Sequence, residues 1–284
     1  MAHQEVIAHR GASAYAPENT LPAFELAVQQ GAGCAEHDLQ ITKDGVLVCL
    51  HDPTLERTTN VRDVFPERGR DVQDGNGTSR RWFVHDFTLA EVRQLDAGSW
   101  FSPTFAGVKI PTYDELLEWS GNLVKVLTEV KDVELYLKFG LDQLELCVRS
   151  LDRHGRLAAA QDAGVTVQSF HEPTIHRAFR RLSPRVPVAL LVEPADSALL
   201  SDRAKVAAIA DFANGIGPGK AIVADRPAIV DWAHGAGLRV TPWTFRTSTT
   251  GAFPDVAAEV THYLDDLHVD AVITDHPDIA VSTR

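Results

Sequence analysis

EHDLQITKDGVLVCLHD, residues 36–52, decides how this chain is read. Its first residues belong to a strand-like run, residues 34–41, in which Glu36 and Asp38 stand two apart. Alternate side chains of a strand share one face, so both carboxylates can point at a common ion. The stretch closes on His51 and Asp52, which we place at a strand end. Upstream, VIAHRG ends in His9 and Arg10; downstream, VLTEVK ends in Glu129 and Lys131. Polar, chemistry-bearing residues therefore terminate successive apolar runs, which is where barrel enzymes carry their reacting groups.

Working outward, short apolar runs alternate with helical patterns along nearly the whole chain, the sequence form of repeated βα units and a parallel sheet. Strands are expected at residues 6–9, 34–41, 123–130, 165–170, 187–192, 214–217, 238–243 and 271–274. Eight is the number that closes a TIM (β/α)8 barrel, so the fold class is α/β of that kind. Residues 20–30 and 141–151 carry apolar side chains near helical spacing, and Pro227 is placed to open a helix. Residues 53–111 break the rhythm and are rich in Arg, Asp, Gly and turn formers. We expect one domain over residues 1–284, with 53–111 as an inserted region after the second strand unit. A short helix is expected at 88–95, where Thr88 and Glu91 can form a capping box. Because this region follows His51 and Asp52, it is placed to wall the site and shape access to it.

A chain of 284 residues with 44% hydrophobic content can build the core of one closed barrel. Its 39 acidic residues against 27 basic ones, a formal charge of −12, argue against sequence-independent nucleic-acid binding, so an anionic substrate needs a local positive site. No run approaches the roughly 20 consecutive apolar residues that cross a bilayer, so no stable membrane insertion is expected. Residues 1–8 hold no positive region followed by an apolar core. The expected location is cytoplasmic, or outside the cell if a signal peptide has been removed. Cys34, Cys49 and Cys147 are few, odd in number and embedded in apolar patterns, which fits buried free thiols in a reducing compartment.

Glu36, Asp38 and Glu129 form an all-oxygen set suited to one hard divalent cation, Ca²⁺ or Mg²⁺ with Mn²⁺ as a further candidate, and neither Cys-x-x-Cys nor HExxH is present for zinc. Such an ion offsets the charge of a phosphodiester. Arg10 can clamp two phosphate oxygens, and Lys131 adds a point charge. Cleavage also needs one proton removed and one delivered; the imidazoles of His9 and His51 can do both near neutral pH. Taken together these residues read as a metal-assisted phosphodiesterase. His37, between Glu36 and Asp38, should face the opposite way and pack outside the barrel lumen. His85, His171 and His276 lie in loop-like contexts. Ser169 lacks a GxSxG elbow and is read as a lining or hydrogen-bonding residue. Phe170 and Trp243 can pack against substrate carbons or simply fill the barrel.

HRG at residues 9–11, PENT at 17–20, ExD at 36–38, TKDG at 42–45, HD at 51–52 and EVK at 129–131 resemble the glycerophosphodiester phosphodiesterase family. QSF, PWTF and ITDHPD continue the likeness through nearly the whole chain. The resemblance implies a TIM-barrel hydrolase that converts a small-molecule glycerophosphodiester to glycerol 3-phosphate and an alcohol with a divalent metal. It implies His9 and His51 as the acid/base pair, Glu36, Asp38 and Glu129 as metal ligands, and Arg10 and Lys131 as phosphate contacts. Glu18 is expected beside Arg10, orienting it, and residues 53–111 resemble the longer bacterial type. His37 stands where the family usually has an apolar residue, and His276 where an arginine or tyrosine is frequent. If the glycerol 2-hydroxyl attacks first, a cyclic phosphate forms with the advantage of a tethered nucleophile; direct attack by water is the alternative. Two other readings remain open. One is a lysophospholipid-directed phosphodiesterase, for which Trp82, Phe83, Trp100 and Phe101 supply apolar surface. The other is a noncatalytic phosphate-binding barrel.

Overall fold

The computed structural model describes residues 4–75, 77–157, 164–170 and 173–284. Eleven strands occur among the described residues: β1 (Glu5–Ala8), β2 (Cys34–Ile41), β3 (Leu47–Cys49), β4 (Arg70–Asp74), β5 (Gly77–Arg81), β6 (Lys125–Val130), β7 (Val165–Ser169), β8 (Val188–Val192), β9 (Gly215–Pro218), β10 (Arg239–Val240) and β11 (Ala271–Thr274). Eight of them are mutually parallel in the order β10-β9-β8-β7-β6-β2-β1-β11. The two ends of this path approach each other: Asp270 N–H donates to Val240 O at 3.0 Å and Ile273 N–H to Pro242 O at 3.1 Å. The result is a nearly closed TIM barrel with its helices outside.

All eight expected strands are present. The run expected at 238–243 is regular only over β10, because Pro242 has no N–H to give to a ladder. The expected helices are found at Leu21–Gln29 and Gln143–Arg153, and Pro227 caps a helix at Ala228–Gly235. Between β3 and β6 the chain carries the antiparallel hairpin β4–β5, with no strand expected there. Its polar, exposed side chains leave no apolar alternation to read. The short helix expected at 88–95 is found at Leu89–Val92, with both halves of the Thr88–Glu91 capping box made, and a further one lies at Val61–Val64. Strand β3 pairs antiparallel with the outer end of β2.

Strand β2 is buried along its whole length, because one face looks into the lumen and the other meets helices. On the helix side His37 and Leu39 pack with Phe24 and Tyr113. On the lumen side Cys34 joins Ile7, Leu127, Ala271 and Ile273 in an apolar plug, and Trp243 packs against it. This plug fills the lumen, so the polar residues farther along the same face, Glu36 and Asp38, sit above it toward the C-terminal ends of the strands. No helix among the described residues is long and apolar enough to cross a membrane. The three cysteines are buried and free.

Candidate active site

Strand register assembles the carboxylates. Asp38 is the partner of Glu129 across β2 and β6, and Glu129 is the partner of Gln168 across β6 and β7. Glu36, two residues before Asp38, shares its face, and donor atoms of Glu36, Asp38 and Glu129 all lie within 4.8 Å of one another. All three residues are buried. Among the described residues no hydrogen bond reaches the buried Asp38 Oδ1, whose ion-pair partner, Lys131 Nζ, stands 3.5 Å away, so this oxygen keeps capacity for a closer ligand. An all-oxygen set of this kind fits a hard divalent cation.

Cations flank the triad. Arg10 adopts a left-handed backbone conformation, φ 55°, two residues past the end of β1. That turn aims its N–H at Glu36 Oε2 (2.8 Å) while its side chain reaches Asp38 Oδ2 (Nε, 3.1 Å) and Glu18 Oε1 (Nη1, 3.0 Å). A non-glycine residue held in this region of backbone space carries strain that the surrounding contacts must offset. Lys131 Nζ stands 3.0 Å from Glu129 and 3.5 Å from Asp38. Asn19, also left-handed at φ 58°, grips Asp38 from the other side, donating from Nδ2 at 2.9 Å and accepting the Asp38 N–H at 3.2 Å. Gln168 donates to Glu36 at 3.4 Å.

The two imidazoles are each anchored by an aspartate. Thr274 pairs with Ala8 at the ends of β11 and β1, so the residues that follow, Asp275 and His9, emerge side by side; His9 Nδ1 and Asp275 Oδ1 are 2.6 Å apart. His51 Nδ1 and Asp52 Oδ1 are also 2.6 Å apart. With Nδ1–H bonded to a carboxylate, Nε2 of either ring is left to exchange a proton with substrate. Asp275 is met from its other side by Arg246 Nε at 3.4 Å.

The electrostatics follow from burial and like charge. Burial, then the Asp38 and Glu129 carboxylates, push Glu36 well above the ordinary glutamate range. Burial and Asp38 push Glu129 up to about 7, with Lys131 opposing. Burial acts on Asp38 in the same direction, but Arg10 and Lys131 outweigh it and hold this carboxylate ionised far below its usual range. Burial and the Arg10 charge lower His9, with Asp275 pulling the other way, so the ring stays neutral near neutral pH.

Of the residues singled out from the sequence, His9, Arg10, Glu18, Glu36, Asp38, Glu129 and Lys131 thus lie in one connected set, and His51 joins it through Asp52, Arg57 and Glu18. Ser169 Oγ donates to Val130 O at 2.9 Å, tying the end of β7 to that of β6. Phe170 is partly exposed and stands edge-on to Trp243, ring centroids 5.4 Å apart, and Trp243 Nε1 donates to Gly217 O at 2.7 Å. His37 lies on the outer face, 3.0 Å from Thr128 Oγ1, its pKa lowered to about 4 by burial. His85 is buried between Phe139 and Phe83. His276 is buried and edge-on to Tyr15, and His171 lies outside the described residues. Sequence reasoning missed Asn19, Asp275, Arg57, Arg246 and Gln168 as participants. Asn19, Gln168 and Asp275 fall inside the quoted PENT, QSF and ITDHPD motifs, which is the only signal that pointed to them.

Trp82 is buried with its Nε1 donating to Phe65 O at 2.7 Å, so it belongs to the core under the β4–β5 hairpin. Trp100 is exposed and packs edge-on to Phe101.

The chain is similar along nearly its whole length to known phosphodiesterases. A glycerophosphodiester phosphodiesterase of Bacillus subtilis is 32% identical over 282 residues, covering 96% of this chain and 84% of the relative. One from Caldanaerobacter subterraneus subsp. tengcongensis is 32% identical over 285 residues, covering 98% and 96%. Among solved structures, an Oleispira antarctica phosphodiesterase in complex with the product sn-glycerol-3-phosphate matches with a TM-score of 0.75 at 26% identity, over 98% of this chain and 96% of that one. Residues 9–279 match the description of one family, and on that match the chain belongs to the glycerophosphoryl diester phosphodiesterase family.

Proposed function

We propose that this enzyme hydrolyses glycerophosphodiesters to glycerol 3-phosphate and an alcohol, with His9 and His51 as the acid/base pair and a divalent cation held by Glu36, Asp38 and Glu129. The observation that carries this reading is the buried carboxylate triad flanked by Arg10 and Lys131, with two aspartate-anchored histidines beside it. A cation bound by the three carboxylates would supply Lewis-acid stabilisation of the phosphate, in general worth several kcal/mol.

The chain's own residues do the rest. Arg10 pairs with phosphate oxygens as a planar fork, and Glu18 keeps that fork oriented. Lys131 adds charge from the β6 end. One imidazole, neutral with its proton on Nδ1, takes the proton of the attacking hydroxyl at Nε2, while the other, as an imidazolium, gives its Nε2 proton to the leaving alkoxide; Asp275 and Asp52 each hold a ring through Nδ1–H. Phe170 and Trp243 offer an apolar wall to the glycerol carbons. In this reading residues 1–284 are one domain, and residues 53–111 are an insertion that walls the site.

The test is turnover of glycerophosphocholine and glycerophosphoethanolamine by metal-stripped protein with Ca²⁺, Mg²⁺ or Mn²⁺ restored, beside His9→Ala. Release of glycerol 3-phosphate that needs an added ion and is lost in the variant supports the reading and names the ion. Folded protein that turns over neither substrate with any ion overturns it. A substrate analogue lacking the glycerol 2-hydroxyl separates the routes: failure to react marks attack by that hydroxyl through a cyclic phosphate, and normal turnover marks direct attack by water.

A further inference from the structure

Arg57 is the residue whose contacts exceed its exposure. Its side chain is 41% exposed at the rim of the site, where a single ion pair contributes little to stability. Yet all three guanidinium nitrogens are committed. Nε donates to Asp52 Oδ2 at 2.5 Å, Nη1 to Glu18 Oε2 at 2.9 Å and Nη2 to Glu18 Oε1 at 2.7 Å. The turn that presents it is pinned from below: Leu55 is fully buried, its N–H donates to Trp82 O at 2.8 Å, and Thr59 Oγ1 donates to Leu55 O at 2.7 Å. The guanidinium is therefore delivered by a fixed piece of backbone.

Each acceptor of Arg57 holds a different part of the site. Asp52 uses its other oxygen on His51 Nδ1, and Glu18 accepts from Arg10 Nη1 as well as from Arg57. A continuous chain of charged hydrogen bonds runs His51, Asp52, Arg57, Glu18, Arg10. We infer that Arg57 is a positioning residue, which sets the His51 imidazole and the Arg10 phosphate clamp in register with one another by bridging Asp52 and Glu18. This rests on the roles proposed above for His51 and Arg10. Only a planar fork spans both partners: an ammonium donates its three hydrogens from a single atom and cannot reproduce contacts made from three separate nitrogens. Each nitrogen of Arg57 is turned to a protein carboxylate, so it reaches substrate only through His51 and Arg10, whose mutual alignment matters most in the transition state.

The experiment measures kcat and KM for glycerophosphocholine with the activating ion saturating, in Arg57→Gln, Arg57→Lys, Glu18→Gln, the Arg57→Gln/Glu18→Gln double variant and His51→Ala. Misplacement of a reacting group by about 1 Å costs on the order of 100-fold. Arg57→Gln is accordingly expected to lower kcat about 30- to 100-fold while KM moves less than about threefold. Arg57→Lys recovers only part of the loss. The double variant loses about as much as the worse single variant, because both changes cut one chain. An Arg57→Gln protein at parental kcat beside an inactive His51→Ala overturns the inference alone. Losses in Arg57→Gln and Glu18→Gln that simply multiply, or a rise in KM matching the fall in kcat, also overturn it, since those mark independent or binding roles. His51→Ala at parental kcat overturns the acid/base reading and this inference with it.

Discussion

Replacing Asp275 with asparagine removes the charge that anchors His9 while leaving the side chain's volume nearly unchanged. In the parent, Asp275 Oδ1 lies 2.6 Å from His9 Nδ1, and the pairing is strong enough to hold Asp275 below the ordinary aspartate range against its own burial. A hydrogen bond to a charged group contributes about 1.5–3 kcal/mol. If the new amide turns its oxygen to the ring, the tautomer survives and only that increment is lost, a fall in kcat of about 10- to 150-fold. If it turns its nitrogen instead, Nδ1 becomes an acceptor, the proton of the neutral ring moves to Nε2, and His9 can no longer take a proton there. The loss then approaches about 10,000-fold, the order seen when a histidine base is held in the wrong tautomer. KM should change little in either case, because Asp275 bonds to His9 and Arg246 and neither is assigned to substrate binding. The assay is steady-state release of glycerol 3-phosphate at saturating cation, with a thermal melt to verify folding. A folded Asp275→Asn enzyme within about threefold of parental kcat would refute the argument that Asp275 sets the His9 tautomer.

Three further outcomes are expected. Glu129→Gln removes one of three buried carboxylates, so cation affinity and activity should fall at least about tenfold while the metal-free melting temperature holds, since like-charge repulsion with Asp38 is relieved; calorimetric cation titration checks this. Glu36 and Glu129 are raised in the fold, so the metal-free protein keeps protons there that the unfolded chain releases in the ordinary glutamate range. That contribution to stability is present at low pH and is lost as pH rises toward about 7, and cation binding, which displaces the same protons, tightens over that window; affinity flat between about pH 5.5 and 7.5 contradicts it. Thr112→Ala breaks the capping box of the helix Tyr113–Ser120, in which Thr112 Oγ1 accepts from Glu115 N–H at 3.1 Å, and should cost about 1 kcal/mol and about 2 °C of melting temperature without changing kcat.

The barrel was legible because its signal is local: each βα unit repeats an apolar run and a helical pattern, and eight runs close a cylinder. The hairpin β4–β5 was not, because Arg70–Asp74 and Gly77–Arg81 are polar and pair with each other rather than with the core. The strand at 238–243 was read too long because Pro242 interrupts its ladder while the chain stays extended.

At the site, residue chemistry and two-residue spacing were enough to place Glu36 and Asp38 on one face and His37 on the other, since side-chain alternation is a property of any strand. Which strand lies beside which, and in what register, belongs to the closed barrel. Register alone makes Asp38 the neighbour of Glu129 and brings Asp275 against His9 across a separation of 266 residues. The same holds for Arg57, an unremarkable arginine in a turn of sequence until folding sets it between Asp52 and Glu18. The sequence by itself determined which groups were available and which strand faces could carry them, because those follow from local backbone geometry. The tertiary structure decided which partners orient them, because a hydrogen bond between distant segments leaves no periodic trace in either.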